Sequence, residues 1–171
     1  MKKFELTSEF VTFLGKKLFR IKALISFGNV EEGELGGYVE KEENLSNDGN
    51  AWVYGNARVS GNAWVSGDAE VFGNARVSGD ARVFGNARVS GNARVSGNAD
   101  YATVQGFGSE YRATTFFRTK AGDIGVRCGC FYGTLEEFRA KVKETHGETK
   151  TAKEYLMVAD LMEFRFSKEE A

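Results

Sequence analysis

The chain has 171 residues, with 23 Lys+Arg against 24 Asp+Glu and a formal net charge of −1. That length suits one domain with small appendages, and the charge balance excludes bulk attraction to nucleic acid or to an anionic membrane, so such a contact would need a local patch. Proline is absent where average usage gives roughly eight or nine, which excludes proline-rich linkers, PPII ligands and cis-proline turns. At 42% hydrophobic and 27% charged, the composition is that of a globular chain.

The opening Met1-Lys2-Lys3 is basic, but Lys16 and Lys17 interrupt the next apolar run. Neither a signal peptide nor the ~20 apolar residues of a membrane span is expected. Val11-Thr12-Phe13-Leu14, Gly15-Lys16 and the run Leu18 to Leu24 read as a hairpin with a Gly-Lys turn. Val39 and Leu45 stand six apart, which points to two irregular rungs before a two-residue insertion ahead of Val53. Residues 1–48 are assigned to a β cap.

From Gly49 to Ala102 the chain reads as nine hexads of the form Gly-Asn/Asp-Ala-x-Val-x, the last with Tyr101 in place of Val. Nine of the 21 glycines lie here, so the glycine excess belongs to the architecture. On a strand, Ala and Val two apart share a face and the residue between them points outward. Gly and Asn/Asp suit a corner. One hexad is a short strand plus a bend that cannot bury its own Ala-Val face; stacked hexads can, by winding into a parallel β-helix. A collagen reading fails because the period is six and proline is missing. Residues 49–102 are assigned to this helix.

The register Val-x-Gly-Asn-Ala-x resembles the hexapeptide repeat of left-handed parallel β-helices, as in bacterial acyltransferases of the hexapeptide class. The resemblance implies three hexads per triangular coil. A right-handed β-helix with similar hexads, as in polymer-forming bacterial cytoskeletal proteins, is the other handedness. A wider resemblance rests on Leu35-Gly36-Gly37-Tyr38-Val39-Glu40, Glu43-Asn44-Leu45-Ser46, the repeats, Thr114 to Lys120, Cys128-Gly129-Cys130-Phe131 and Lys143-Glu144-Thr145-His146-Gly147. These are similar to uncharacterised proteins typical of bacteriophages and prophages, which implies a bacterial cytoplasmic setting and no particular chemistry.

With three hexads per coil, residues 18 apart stack at about 4.8 Å. The outward columns are then Trp52-Glu70-Arg88, Arg58-Arg76-Arg94 and Trp64-Arg82-Asp100. One face carries an unbroken arginine ladder with Ser60, Ser78 and Ser96 on one side and Asn56, Asn74 and Asn92 on the other. Another presents Tyr54 and Phe72 beside Trp52. Stacked like charges need counter-anions, water or a partner's carboxylates, and arginine forks suit phosphate or carboxylate. The candidate binding residues are therefore Arg58, Arg76 and Arg94, with the aromatic residues Trp52, Tyr54, Phe72 and Trp64 as a contact surface.

Residues 103–171 read as a small α+β unit of ββαα type. Arg112 to Lys120 and Ile124 to Phe131 form its hairpin around Ala121-Gly122-Asp123. Thr134-Leu135-Glu136-Glu137 is a capping box opening a helix that stops at Gly147, and Thr151-Ala152-Lys153-Glu154 opens a second running to about Met162. Cys128 and Cys130 would share a strand face, reduced. The acidic pairs Glu136-Glu137 and Glu169-Glu170 read as solvated.

Acyl transfer, implied by the hexapeptide resemblance, needs a histidine base. The single histidine, His146, sits at a helix C-terminus outside the repeat, where the dipole favours the protonated ring, so it is a weak catalytic candidate. No zinc-like ligand spacing and no phosphate loop are present. The expected protein is mainly β and non-enzymatic, a homo-oligomeric binding or assembly protein without cofactor or metal. In a phage setting it would act on a host protein or on a small anionic, nucleotide-like ligand, as an anti-defence protein would. The alternative is a divergent acyltransferase using acyl-CoA. Direct DNA binding ranks third, resting on the arginine ladder alone.

Overall fold

The computed structural model describes residues 1–167; Glu169-Glu170 lies outside the described residues. The hexads form two-residue strands: β4 (Trp52–Val53), β5 (Arg58–Val59), β6 (Trp64–Val65), β7 (Glu70–Val71), β8 (Arg76–Val77), β9 (Arg82–Val83), β10 (Arg88–Val89) and β11 (Arg94–Val95). Residues 18 apart pair in parallel, Trp52 with Glu70 and Glu70 with Arg88, Arg58 with Arg76 and Arg76 with Arg94, and Trp64 with Arg82. The chain is a β-solenoid. Every repeat alanine from Ala51 to Ala93 and every repeat valine from Val53 to Val95 is buried, so side chains fill the interior. At the corners, Gly73 illustrates why glycine is needed. Its φ is +68°, and a Cβ there would lie 2.9 Å from the backbone nitrogen of Gly91 on the next coil.

Parallel-ladder hydrogen bonds join the coils: the N–H groups of Arg58 and Ser60, for example, donate to the carbonyls of Ala75 and Val77 on the following coil. The first and last coils each lack a neighbouring coil on one side, so backbone groups there need partners from elsewhere. Buried backbone N–H and C=O groups must be paired. The capping segments supply the complementary atoms. At the first coil, the N–H groups of Tyr38, Glu40 and Ser46 donate to the carbonyls of Ala57, Val59 and Val65. Between them, the ammonium of Lys3 donates to the Ala51 carbonyl at 2.8 Å, and the amide of Asn44 donates to the Ala63 carbonyl at 2.8 Å. At the other end, Thr115 Oγ1 accepts from the Arg88 N–H at 2.9 Å and Asn98 Oδ1 from the Arg82 N–H at 2.8 Å.

The first-coil cap is built from β1 (Phe4–Phe13), β2 (Lys16–Ala23) and β3 (Leu35–Val39), joined to one solenoid face in the order β1-β2-β3-β5-β8-β11. Val39 pairs with Val59 and Leu45 with Val65, an offset of 20 instead of 18, which locates the two-residue insertion. The hairpin turn is Leu14-Gly15, one residue earlier than the Gly-Lys turn expected, because Lys16 already pairs with Phe13. Both loop residues have positive φ, 49° and 77°, as a type I′ turn demands.

Beyond β11 the ninth hexad leaves the solenoid. Asn98–Asp100 forms a 3-10 turn, so Asp100 does not extend the Trp64-Arg82 column. Its carboxylate instead accepts from the N–H groups of Ser96 and Gly97 and pairs with Arg118 at 3.0 Å. Next come β12 (Tyr101–Val104), β13 (Thr114–Arg118), β14 (Ile124–Cys128) and β15 (Phe131–Thr134), an antiparallel sheet in that order. The unit therefore has four strands where two were expected. The segment Ile124 to Phe131 is broken by a turn at Gly129-Cys130, with Gly129 at φ 57°, so Cys130 sits in a turn and does not share a strand face with Cys128. Helix α1 (Leu135–His146) is capped by Thr134, which accepts from the Glu137 N–H. Helix α2 (Lys150–Phe166) starts at Thr149, not Thr151, and runs four residues past Met162. Phe138, Val142, Tyr155, Val158 and Met162 close over Phe116 and Val126 of the sheet in a second core.

Candidate functional site: the arginine-ladder cleft

Strand alternation turns Val59, Val77 and Val95 inward and sends Arg58, Arg76 and Arg94 outward in register, as the sequence pattern requires. Parallel pairing sets them about 4.8 Å apart at the backbone. The column begins one rung earlier at Tyr38, which pairs with Arg58. Arg20 stacks over the Tyr38 ring at 4.5 Å and is neutralised by Glu9 at 3.1 Å.

The ladder is not neutralised in this way. Among the described residues, Arg88, Arg118 and Arg139 each have a carboxylate within 3.1 Å, whereas Arg58, Arg76 and Arg94 have none within 4.0 Å. Among the described residues Arg94 donates to the carbonyls of Asn74 at 3.1 Å and Ala93 at 2.9 Å. Burial, and then the charges of Arg76 and Arg58, hold the Arg94 guanidinium below the ordinary arginine range. Two unit charges near this spacing repel by roughly 1 kcal/mol in water and several-fold more at a protein surface.

The hairpin tip partly offsets that repulsion. The Phe13 ring lies under the guanidinium of Arg76 at 4.5 Å and near that of Arg58 at 5.5 Å, presenting its negative face to both. Beyond Phe13, Leu14 projects into solvent, 85% exposed. The ladder thus forms a ridge between two grooves. One, of about 410 Å³, runs under Phe13, Leu14 and Lys16 along Ser60, Ser78 and Ser96. The other, of about 420 Å³, follows Asn56, Asn74 and Asn92 to Lys120. Lys16 is partnered by Glu40 at 3.5 Å, and Asp80 stands on the rim of the first groove. The arrangement offers guanidinium donors to an anion and an apolar wall to whatever carries it. The serine and asparagine side chains that flank it add hydrogen-bonding groups without charge of their own.

The other residues singled out in the sequence are dispersed. Trp52 is 0% exposed: Phe4 and Phe27 stack edge-on against it at 6.4 and 5.3 Å, because the cap covers the face on which it was expected to stand free. Tyr54 is half-buried against the same core, and burial followed by the Glu70 charge raises its hydroxyl above the ordinary tyrosine range. Phe72 is half-buried between the guanidiniums of Arg88 at 5.4 Å and Arg127 at 5.0 Å. Trp64 is 41% exposed on a third face beside Arg82. His146 ends α1, its ring 5.9 Å from that of Tyr155. Phe13, Leu14, Lys16 and Lys120 were missed. The legible signal was Leu14 itself, an apolar residue beside a glycine at a hairpin turn, where asparagine or aspartate is usual.

Among the described residues no helix is long and apolar enough to cross a membrane, and no three His, Cys, Asp or Glu side chains cluster to hold a metal ion. No curated protein matches the chain. A family model, YdcK beta solenoid repeat, matches residues 51–67, 75–89 and 87–99, and these segments carry Arg58, Arg76 and Arg94. Over the coils that build the ladder, the chain is similar to that solenoid repeat.

Proposed function

We propose that this is a non-enzymatic binding protein whose ladder takes a small organic anion, its phosphate or carboxylate groups on Arg58, Arg76 and Arg94 and its apolar part on Phe13 and Leu14. The observation that carries the reading is that the three guanidiniums are stacked in register with no carboxylate within 4.0 Å among the described residues, beside an exposed apolar wall. The sequence resemblance to phage and prophage proteins supports a role on host machinery. Occupying a defence protein, or sequestering a nucleotide-like signal, suits a cationic cleft on a rigid solenoid. The apolar stripe of Met157, Leu161 and Phe164, exposed on α2, supports self-association. Acyl transfer has less support, because His146 lines neither ladder groove.

The test is thermal unfolding with tripolyphosphate, citrate or AMP against chloride of matched ionic strength. A ligand at about 100 times its Kd adds ~2.7 kcal/mol of stability, and Arg76→Gln should abolish the shift. Equal shifts in wild type and variant for all three anions would sink the reading. So would a protein that protects no phage from any defence system tested, for the host-directed part.

A further inference from the structure

We infer that the cleft between the two C-terminal helices and the β14–β15 turn is a second ligand site, taking a compact organic anion with an aromatic body. It shares no lining residue with either ladder groove. Its volume of about 340 Å³ is of the size that holds one small molecule.

The floor and the rim have different chemistry. Phe131 and Phe138 pack with ring centroids 5.8 Å apart and planes tilted by 56°, giving an aromatic wall. Arg112, Lys141 and His146 bring nitrogen donors to the edge, against Glu110 as the only carboxylate among the described lining residues. The Cys128 sulfur lies inside, accepting a hydrogen bond from Thr114 Oγ1 at 3.2 Å.

Two further observations point to an occupant. Tyr155 is 7% exposed, yet among the described residues its hydroxyl has only distant partners, the Phe107 carbonyl at 3.5 Å and Cys128 Sγ at 3.8 Å. A buried hydroxyl so weakly paired is under-satisfied. Burial, and then the Cys128 sulfur, pushes its pKa up to about 12, so it remains a donor. Secondly, glycines clear the space around the polar groups. A Cβ at Gly108 would overlap the Tyr155 hydroxyl, and one at Gly129 would overlap the Arg112 guanidinium. A carboxylate or phosphate head fits the Arg112 fork and the Tyr155 donor, with the ring of the same molecule on Phe131 and Phe138.

Cys128 reports on the site directly, and the exposed Cys130 is an internal reference two residues away. In alkylation the sulfur lone pair forms the S–C bond as the C–I bond breaks. Iodide leaves, and the thiol proton passes to buffer. The intact 171-residue chain is treated with anionic iodoacetate or neutral iodoacetamide, and each cysteine is followed by peptide mass spectrometry. The rate ratio of iodoacetate to iodoacetamide should be about fivefold higher at Cys128 than at Cys130, through the local positive field. Arg112→Gln should bring the two ratios together. In wild type, millimolar benzoate or phenyl phosphate should slow Cys128 alone, benzylamine should not, and the more protective of the two anions identifies the head group. Equal ratios at both cysteines, or protection by neither anion, would overturn the proposal.

Discussion

Leu14 occupies a backbone conformation unsuited to it, and replacing it with asparagine should move stability and binding in opposite directions. An L-residue in the left-handed region costs roughly 1–2 kcal/mol, and asparagine is several-fold enriched there. Leu14 has φ 49° and its side chain is 85% exposed, so it offsets little of that strain by burial within the chain. Leu14→Asn should therefore stabilise the fold by about 1 kcal/mol, a rise in Tm of roughly 2–4 °C for a protein of this size. Urea unfolding should show a higher midpoint at unchanged slope. AMP, whose base would lie against Leu14, should bind several-fold more weakly, by about 1 kcal/mol of lost apolar contact. Tripolyphosphate has no apolar part and should bind unchanged. A variant less stable than wild type would refute the strain argument. Equal weakening of both ligands would refute the placement of the apolar wall.

The corner geometry separates two glycine effects. Gly55→Ala meets nothing within 4 Å and should cost only its positive φ, about 1 kcal/mol, while Gly73→Ala also drives into Gly91 and should cost at least ~2 kcal/mol in urea unfolding. Lys3 is 1% exposed, and burial lowers its pKa to about 8 from 10.5, against the charges of Asp48 and Asp68. The unfolded chain then binds more protons between those two values, so this group makes stability rise with pH from about 8 to 10.5. Wild-type stability minus that of Lys3→Met should be flat below this window and climb through it; a falling difference would contradict the assignment. Under the proposed self-association through the exposed α2 stripe, Leu161→Glu should lower the sedimentation coefficient while leaving the urea midpoint unchanged; equal coefficients for wild type and variant would contradict that role for the stripe.

The solenoid was legible because its code is local: alanine and valine two apart, glycine at every sixth position, and nothing in the repeat competing with that period. The in-register arginines followed from the same arithmetic. What lay outside the period was harder to read. Trp52 obeys the outward rule of its hexad, yet ends up buried, since Phe4 and Phe27 come from a cap whose path depends on tertiary packing. The Leu14-Gly15 turn was displaced by one residue because leucine does not advertise positive φ. The extra strand β15 was hidden in an apolar run that reads as continuous until Gly129 turns it. Phe13 joined the ladder only through the hairpin's approach to the solenoid face, a contact across more than 40 positions of sequence.

The most direct test of the ladder is to watch its guanidiniums. In protein with ¹⁵N-labelled arginine, the Nε–Hε resonances of Arg58, Arg76 and Arg94 should shift together and saturate on titration with tripolyphosphate. Arg82, exposed on another face, is the reference and should barely move. Ladder resonances that move no more than Arg82, or drift linearly without saturation, would mean that the stacked arginines are a solvated surface and not a binding site.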